Sequence, residues 1–379
     1  MNILQNQCRA RKAIHILLMS SMLVIGGFIF PRVSSADDSL GVSYAAISFT
    51  PDSKKLVFNR CQHQHHRNCS IHVLDLKTKG LTYFQAPENQ EWYAAKFSPS
   101  GERIVFVSVP LTPGYLPGED KNKVYPDFGN AQIAMMNADG RNVHLLTNKT
   151  SYKMAPNFSW SGKKVLFVQG EMRKPSSKTL AAGLDAYEID LESGNIRQLT
   201  DFKFFQMGRP SYLPGDAQFV VDIFGPTKIP GIAAGDNPTY WRGMNRKHNN
   251  SQFYVFGTGS ATQVLEPMFD QLKGARSPLV DAQGNLYFDA SNGRTLRRYR
   301  LTKSGELNDY LWLPNTGRFG FGGEVLQSRF TEVAPDGSQL AVVTGSKNPR
   351  DYSGIFLLNF ATGLWEEVHV PAKADLANP

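Results

Sequence analysis

The densest reactive cluster in the sequence is CQHQHHRNC, where Cys61 and Cys69 flank His63, His65 and His66. Imidazole and thiolate both ligate zinc or copper, so three histidines within four positions read as a divalent-metal site. The spacing matches no standard ligand pattern. Two cysteines at matching ends of a hairpin loop also read as a disulfide in an oxidising compartment. A bridge and a metal are compatible if the bond presents the histidines at the loop tip. His72 falls inside an apolar strand pattern and reads as structural.

Little else in the chain points to catalysis. There is no G-x-S-x-G nucleophile elbow, no H-E-x-x-H, no P-loop and no dinucleotide fingerprint. Glu119, Asp120, Asp127, Asp222, Asp236 and Glu324 are scattered carboxylates that acid–base work would have to bring together; as a sequence they read as solvated loop and turn residues. No catalytic residue is assigned and no cofactor is expected, the metal reading of His63, His65 and His66 being the one alternative.

Aromatic and basic residues concentrate in a few long connections. Tyr115, Tyr125 and Phe128 share one, Tyr240, Trp241, Arg242, Lys247 and His248 another, and Arg318, Phe319 and Phe321 a third. Exposed Tyr, Trp and Arg offer large contact area with a polar handle, so Tyr115, Tyr125, Tyr240, Trp241, Arg242, Arg318 and Phe319 are the candidate ligand-binding residues. Their alternative use is to pack on one another and hold the loops in shape.

The N-terminus differs from the rest. Arg9, Arg11 and Lys12 precede an apolar run over residues 13–30, followed by Ser34, Ser35 and Ala36, the pattern of a secretory signal cleaved after Ala36. An uncleaved anchor is the other reading, and no later stretch is apolar enough to span a bilayer. Either way the body, residues 37–379, is expected outside the cytoplasm, in the periplasm or secreted. Residues 1–36 hold Arg9, Arg11, Lys12 and Arg32 and no acid, so half of the formal charge of +8 belongs to the leader and nucleic acid is not an expected partner.

What positions the candidate residues is a repeat. ISFTPDSKKLVF from Ile47, AKFSPSGERIVF from Ala95, NFSWSGKKVLF from Asn157, SYLPGDAQFVV from Ser211, PLVDAQGNLYF from Pro278 and TEVAPDGSQLAV from Thr331 are one motif. Its turn positions Pro51, Pro99, Trp160, Pro214, Ala282 and Pro335 step by 48, 61, 54, 68 and 53 residues. Pro presets the first central residue of a turn, and Gly101, Gly162, Gly284 or Gly337 supplies the left-handed position that closes it. The strand that follows is apolar throughout, as in Leu56-Val57-Phe58, so it must be covered on both faces. A third and a short fourth strand complete each unit. Six such units predict an all-β protein of four-stranded antiparallel sheets repeated around a channel, a stack of sandwiches being the alternative.

The motifs FTPDSKKLVF, FSPSGERIVF and VAPDGSQLAV resemble the PD40 repeats of TolB-like propellers over residues 44–371. The resemblance implies a single six-bladed β-propeller with blades near 44–84, 93–147, 155–200, 208–267, 277–313 and 329–371. TolB carries an α/β domain ahead of its propeller, whereas here the repeats begin almost directly after the leader, so no TolB partner carries over. In such blades the long connections 110–130, 170–184, 225–250, 345–353 and 314–330 all leave from one end of the sheets, where binding is expected. The functional expectation is an exported monomeric binding protein for an envelope protein, peptide or glycan. The alternative is a propeller enzyme acting on a saccharide, a metal-assisted lyase or hydrolase using His63, His65, His66 or His248.

Overall fold

In the computed structural model, residues 42–62, 67–111, 128–172, 181–226, 252–259, 268, 273–291, 296–311, 318–321, 324–345 and 354–371 are described, and they form 25 β-strands. None of the described helical positions belongs to a helix long and apolar enough to cross a membrane.

The repeat motif becomes the first two strands of each sheet. In the first, β1 (Val42–Phe49), β2 (Lys55–Gln62), β3 (Arg67–Asp75) and β4 (Leu81–Phe84) lie side by side in chain order, all antiparallel. The second sheet repeats this order with β5 (Gln90–Phe97), β6 (Arg103–Pro110), β7 (Gln132–Asn137) and β8 (His144–Leu145). The same order recurs in β17 (Lys273–Val280), β18 (Leu286–Ser291), β19 (Leu296–Leu301) and β20 (Leu307–Leu311). The apolar second strands are buried on both faces because each is sandwiched between neighbouring sheets. Val57 packs with Ile104 and Phe106 of the second sheet, while Leu56 and Phe58 pack with Ala341, Val343 and Ile355 of the last.

Two stretches depart from the expected six separate four-stranded sheets. The first holds β9 (Tyr152–Phe158), β10 (Lys164–Met172), β11 (Ala181–Asp190), β12 (Ile196–Gln198), β13 (Phe204–Met207), β14 (Ser211–Tyr212), β15 (Gln218–Pro226) and β16 (Gln252–Gly257), which form one eight-stranded sheet. The cause is a broken inner strand. Pro210 has no N–H to donate, and a Cβ on Gly208 would lie 1.8 Å from Asp222 Oδ1, so the chain pairs with β15 in two pieces, β13 and β14. The freed start of β13 reaches back to β11 through the single pair Leu184 and Phe204 and joins the two units. The fourth strand expected at residues 262–266 lies outside the described residues. The last sheet has five strands, β21 (Arg318–Phe321), β22 (Glu324–Val333), β23 (Gln339–Gly345), β24 (Ile355–Asn359) and β25 (Trp365–Val368). Sequence patterning assigns residues 314–330 to a loop; instead Arg318 pairs with Gln327 and Phe319 with Leu326 as a hairpin.

The apolar clusters run sheet to sheet and return to the start: Leu279 and Tyr287 pack on Val342 and Leu358, and Ala341 and Val343 pack on Ile47 and Phe58. The innermost strands share a kink. Ala46, Ala94, Ala155 and Ser277 have φ of 48°, 53°, 54° and 55°, each at a bulge in the pairing with the second strand. A left-handed non-glycine residue is unfavourable, and here it recurs at one equivalent position. The extra residue shifts the side-chain alternation of the last three inner-strand residues.

Candidate functional site

Beyond these kinks the inner strands converge on a cavity of about 300 Å³. Its wall draws on β1, β5, β9, β14, β17 and β22 and on the turns after them, at Pro51, Pro99, Trp160, Ala282 and Pro335. Phe49, Phe97, Phe158, Trp160 and Tyr212 give it an aromatic lining, and Ser48, Lys96, Asn157, Ser211 and Glu332 a polar one.

Lys96 and Glu332 of its wall belong to a charged triad that Arg209 completes. Lys96 Nζ of β5 is 3.0 Å from Glu332 Oε2 of β22, and the same oxygen accepts from Arg209, between β13 and β14. The three side chains come from three different sheets and are 15%, 11% and 22% exposed, so their attraction is little screened by water. Burial holds the Lys96 ammonium below its ordinary pKa, Glu332 opposes that shift, and Arg209 reinforces it. Asn157 Nδ2 lies 3.4 Å from both Pro210 O and Ser211 Oγ, which holds the amide against the chain just after Arg209.

The turns around this end hold one another. Asp216 accepts from Trp160 N at 2.7 Å and Ser161 N at 2.9 Å, and Trp160 Nε1 donates to Tyr212 O at 3.0 Å. Arg103 donates to Gly162 O at 2.8 Å, Ala282 N to Pro335 O at 2.9 Å, and Asp336 N to Ser53 Oγ at 3.3 Å. Deeper in, buried Asn59 clamps the next sheet by donating to Trp92 O at 2.7 Å and accepting from Ala94 N at 3.0 Å. Glu188 accepts from Lys164, Arg197 and the Tyr212 hydroxyl at 3.1, 2.8 and 2.9 Å, and burial, then this carboxylate, raises the Tyr212 phenol pKa.

No family model and no curated relative matches the sequence. Solved structures do share its architecture. TolB from Acinetobacter baumannii superposes with a TM-score of 0.52 at 13% identity, over 86% of this chain and 63% of its own. The fold is that of the TolB-like propellers. An oligogalacturonate lyase from Vibrio parahaemolyticus matches with a TM-score of 0.52 at 11% identity, over 86% of this chain and 77% of its own. A prolyl endopeptidase matches with 0.50 at 14% identity, over 86% of this chain, which spans only 42% of that enzyme's length.

Against this propeller, the residues singled out in the sequence fall into three groups. Cys61 and Cys69 are bonded, with Cα atoms 4.0 Å apart and both side chains buried, which fits an exported protein. His72 is structural, with Nε2 2.8 Å from Ser70 Oγ and its ring stacked between Phe58 and Tyr83. Phe128 turns inward against Tyr93. His63, His65, His66, Tyr115, Tyr125, Tyr240, Trp241, Arg242, Lys247, His248, Glu119, Asp120, Asp127 and Asp236 lie outside the described residues. Arg318 and Phe319 sit on β21, Glu324 opens β22, and Asp222 is on β15 behind Gly208. Among the described residues no three His, Cys, Asp or Glu side chains are grouped as a metal site.

The Lys96, Arg209 and Glu332 triad is not found by reading the sequence motif by motif. The signal is there in register: three residues before each turn marker stand Ser48, Lys96, Asn157, Ser211, Leu279 and Glu332. Five of these six places are polar, and two of them are Lys96 and Glu332.

Proposed function

We propose that this protein is an exported binding protein of six blades, the eight-stranded sheet counting as two, that recognises an envelope protein, peptide or glycan through one loop-bearing face. The observation that carries the reading is the ring of interlocked turns. Pro51, Pro99, Trp160, Ala282 and Pro335 gather at one end of the sheets. In antiparallel blades the second-to-third-strand connections and the sheet-to-sheet crossings leave from the other end, where β6 ends at Pro110 and β15 at Pro226 ahead of the segments that carry Tyr115, Tyr125, Tyr240, Trp241 and Arg242 in the sequence. An inner strand lined from every unit supports the count of six. The Cys61–Cys69 bond and the apolar leader support export to the periplasm or medium.

Crosslinking in envelope extracts, with wild type against a Tyr240→Ala, Trp241→Ala, Arg242→Ala variant, tests this. Wild type is expected to retain a reproducible partner or glycan that the variant loses; identical recoveries from both overturn the reading.

A saccharide-processing enzyme is the second reading, favoured by the oligogalacturonate lyases among the structural neighbours, one of them in complex with manganese. His63, His65, His66 and His248 are the residues it would use. Bound divalent metal in the purified protein, together with release of unsaturated products from a polyuronide, supports it; metal-free, inactive protein removes it.

A further inference from the structure

We propose that the cavity at the turn end of the channel is a binding site for a carboxylate carried on a flat or apolar body, with Lys96, which lines it, as its anchor and Arg209 holding Glu332 from behind the wall. This site lies at the end of the sheets opposite the loop-bearing face, and it stands whether or not that face binds a partner.

The charge count is the starting point. Two cations meet one carboxylate in the triad, and Glu332 is the one acid among the described residues that line the cavity. Arg209 donates to the same Glu332 oxygen that Lys96 approaches, so that carboxylate is shared between two cations and the cavity-lining Lys96 ammonium keeps donors for a second anion. An ammonium carries three N–H donors and a guanidinium five, more than a single carboxylate oxygen can accept from. The side chains are mostly removed from water, where charge-assisted hydrogen bonds are stronger than at the surface. Burial depresses the Lys96 pKa, and an incoming anion would oppose that shift in the same sense as Glu332 does.

The walls specify the rest of the ligand. Phe97, Phe158, Trp160 and Tyr212 present ring surface around the charged floor, with Asn157 and Ser211 as neutral hydrogen-bonding groups. A cavity of about 300 Å³ is at the small end of ligand pockets, suited to one ring with its acid group.

Two sources offer that chemistry, a peptide's C-terminal residue and a sugar acid, and paired probes separate them. Isothermal titration of the purified full chain would use N-acetylphenylalanine against its primary amide, and phenyl glucuronide against phenyl glucoside. At least one acid is expected to bind, with its neutral counterpart about tenfold weaker or worse. Lys96→Met is expected to weaken that acid about tenfold, and Glu332→Gln to tighten it by removing the competing carboxylate. The tightening is the discriminating arm, since a purely structural triad would lose affinity in both variants. Circular dichroism confirms folding; should Lys96→Met not fold, Glu332→Gln decides. Absence of binding by both acids to wild type and Glu332→Gln, equal binding of acid and neutral partner, or weaker binding by Glu332→Gln overturns the proposal. The Tyr240, Trp241 and Arg242 alanine variant is expected to bind the probes normally, so this site and the loop face fail independently.

Discussion

Lys153 and Asp185 show how single buried groups make the fold sensitive to pH. Lys153, 1% exposed on β9, donates to the carbonyls of Ala131, at 3.0 Å, and Lys149, and burial lowers its pKa to about 8. Asp185 on β11 is pushed up to about 6 by burial, although Thr200 Oγ1 and Phe202 N donate to it at 2.8 and 2.9 Å. Between pH 8 and the ordinary lysine value of 10.5 the unfolded chain holds the Lys153 proton and the native state does not, so stability rises with pH there. Between the ordinary aspartate value of 3.8 and about 6 the native state holds the Asp185 proton, so stability falls as pH rises. Melting temperature measured against pH should show both limbs. Lys153→Met is expected to flatten the alkaline limb and Asp185→Asn the acid one; unchanged slopes would refute the assignments.

At the scale of elements, the turn-to-turn hydrogen bonds join neighbouring units at an end where no backbone ladder runs from one turn to the next. Asp216 serves two N–H groups of the preceding turn, so Asp216→Ala leaves Trp160 N and Ser161 N without that carboxylate. A loss of about 2–3 kcal/mol is expected in chemical denaturation, against less than about 0.5 kcal/mol for Asp139→Ala, whose side chain caps only its own exposed turn. The hairpin turns and the apolar second strands were legible in the sequence because each is local: Pro and Gly set the turn, and Leu56-Val57-Phe58 announces burial on both faces. The inner-strand kinks were not, since alanine at Ala46, Ala94 and Ala155 gives no sign of a left-handed backbone. Nor was β21, because Arg318 and Phe319 look like loop residues until β22 extends far enough to pair with them. The triad was hidden for a longer-range reason: positions 96, 209 and 332 become neighbours only when the sheets encircle a shared cavity.

For the whole molecule the decisive contact is between the first and last sheets. Ile47, Phe49 and Phe58 pack on Ala334, Ala341, Val343 and Ile355 with no described strand exchanged between the two sheets, so apolar burial carries the closure. Ala341→Asp places an unpaired charge there and is expected to cost about 3–5 kcal/mol, as much as Val105→Asp between two consecutive sheets. Far-ultraviolet dichroism and tryptophan fluorescence should melt together in wild type and in both variants. A separate early transition confined to Ala341→Asp would mean that the closure is not part of the cooperative unit.

The bond between Cys61 and Cys69 ties β2 to β3 at the end of the first sheet farthest from Pro51. Cleaving that bond is expected to loosen the far end of this one hairpin, while the corners at Pro51 and Pro335 stay joined through the Asp336 N to Ser53 Oγ hydrogen bond, which contains no sulfur.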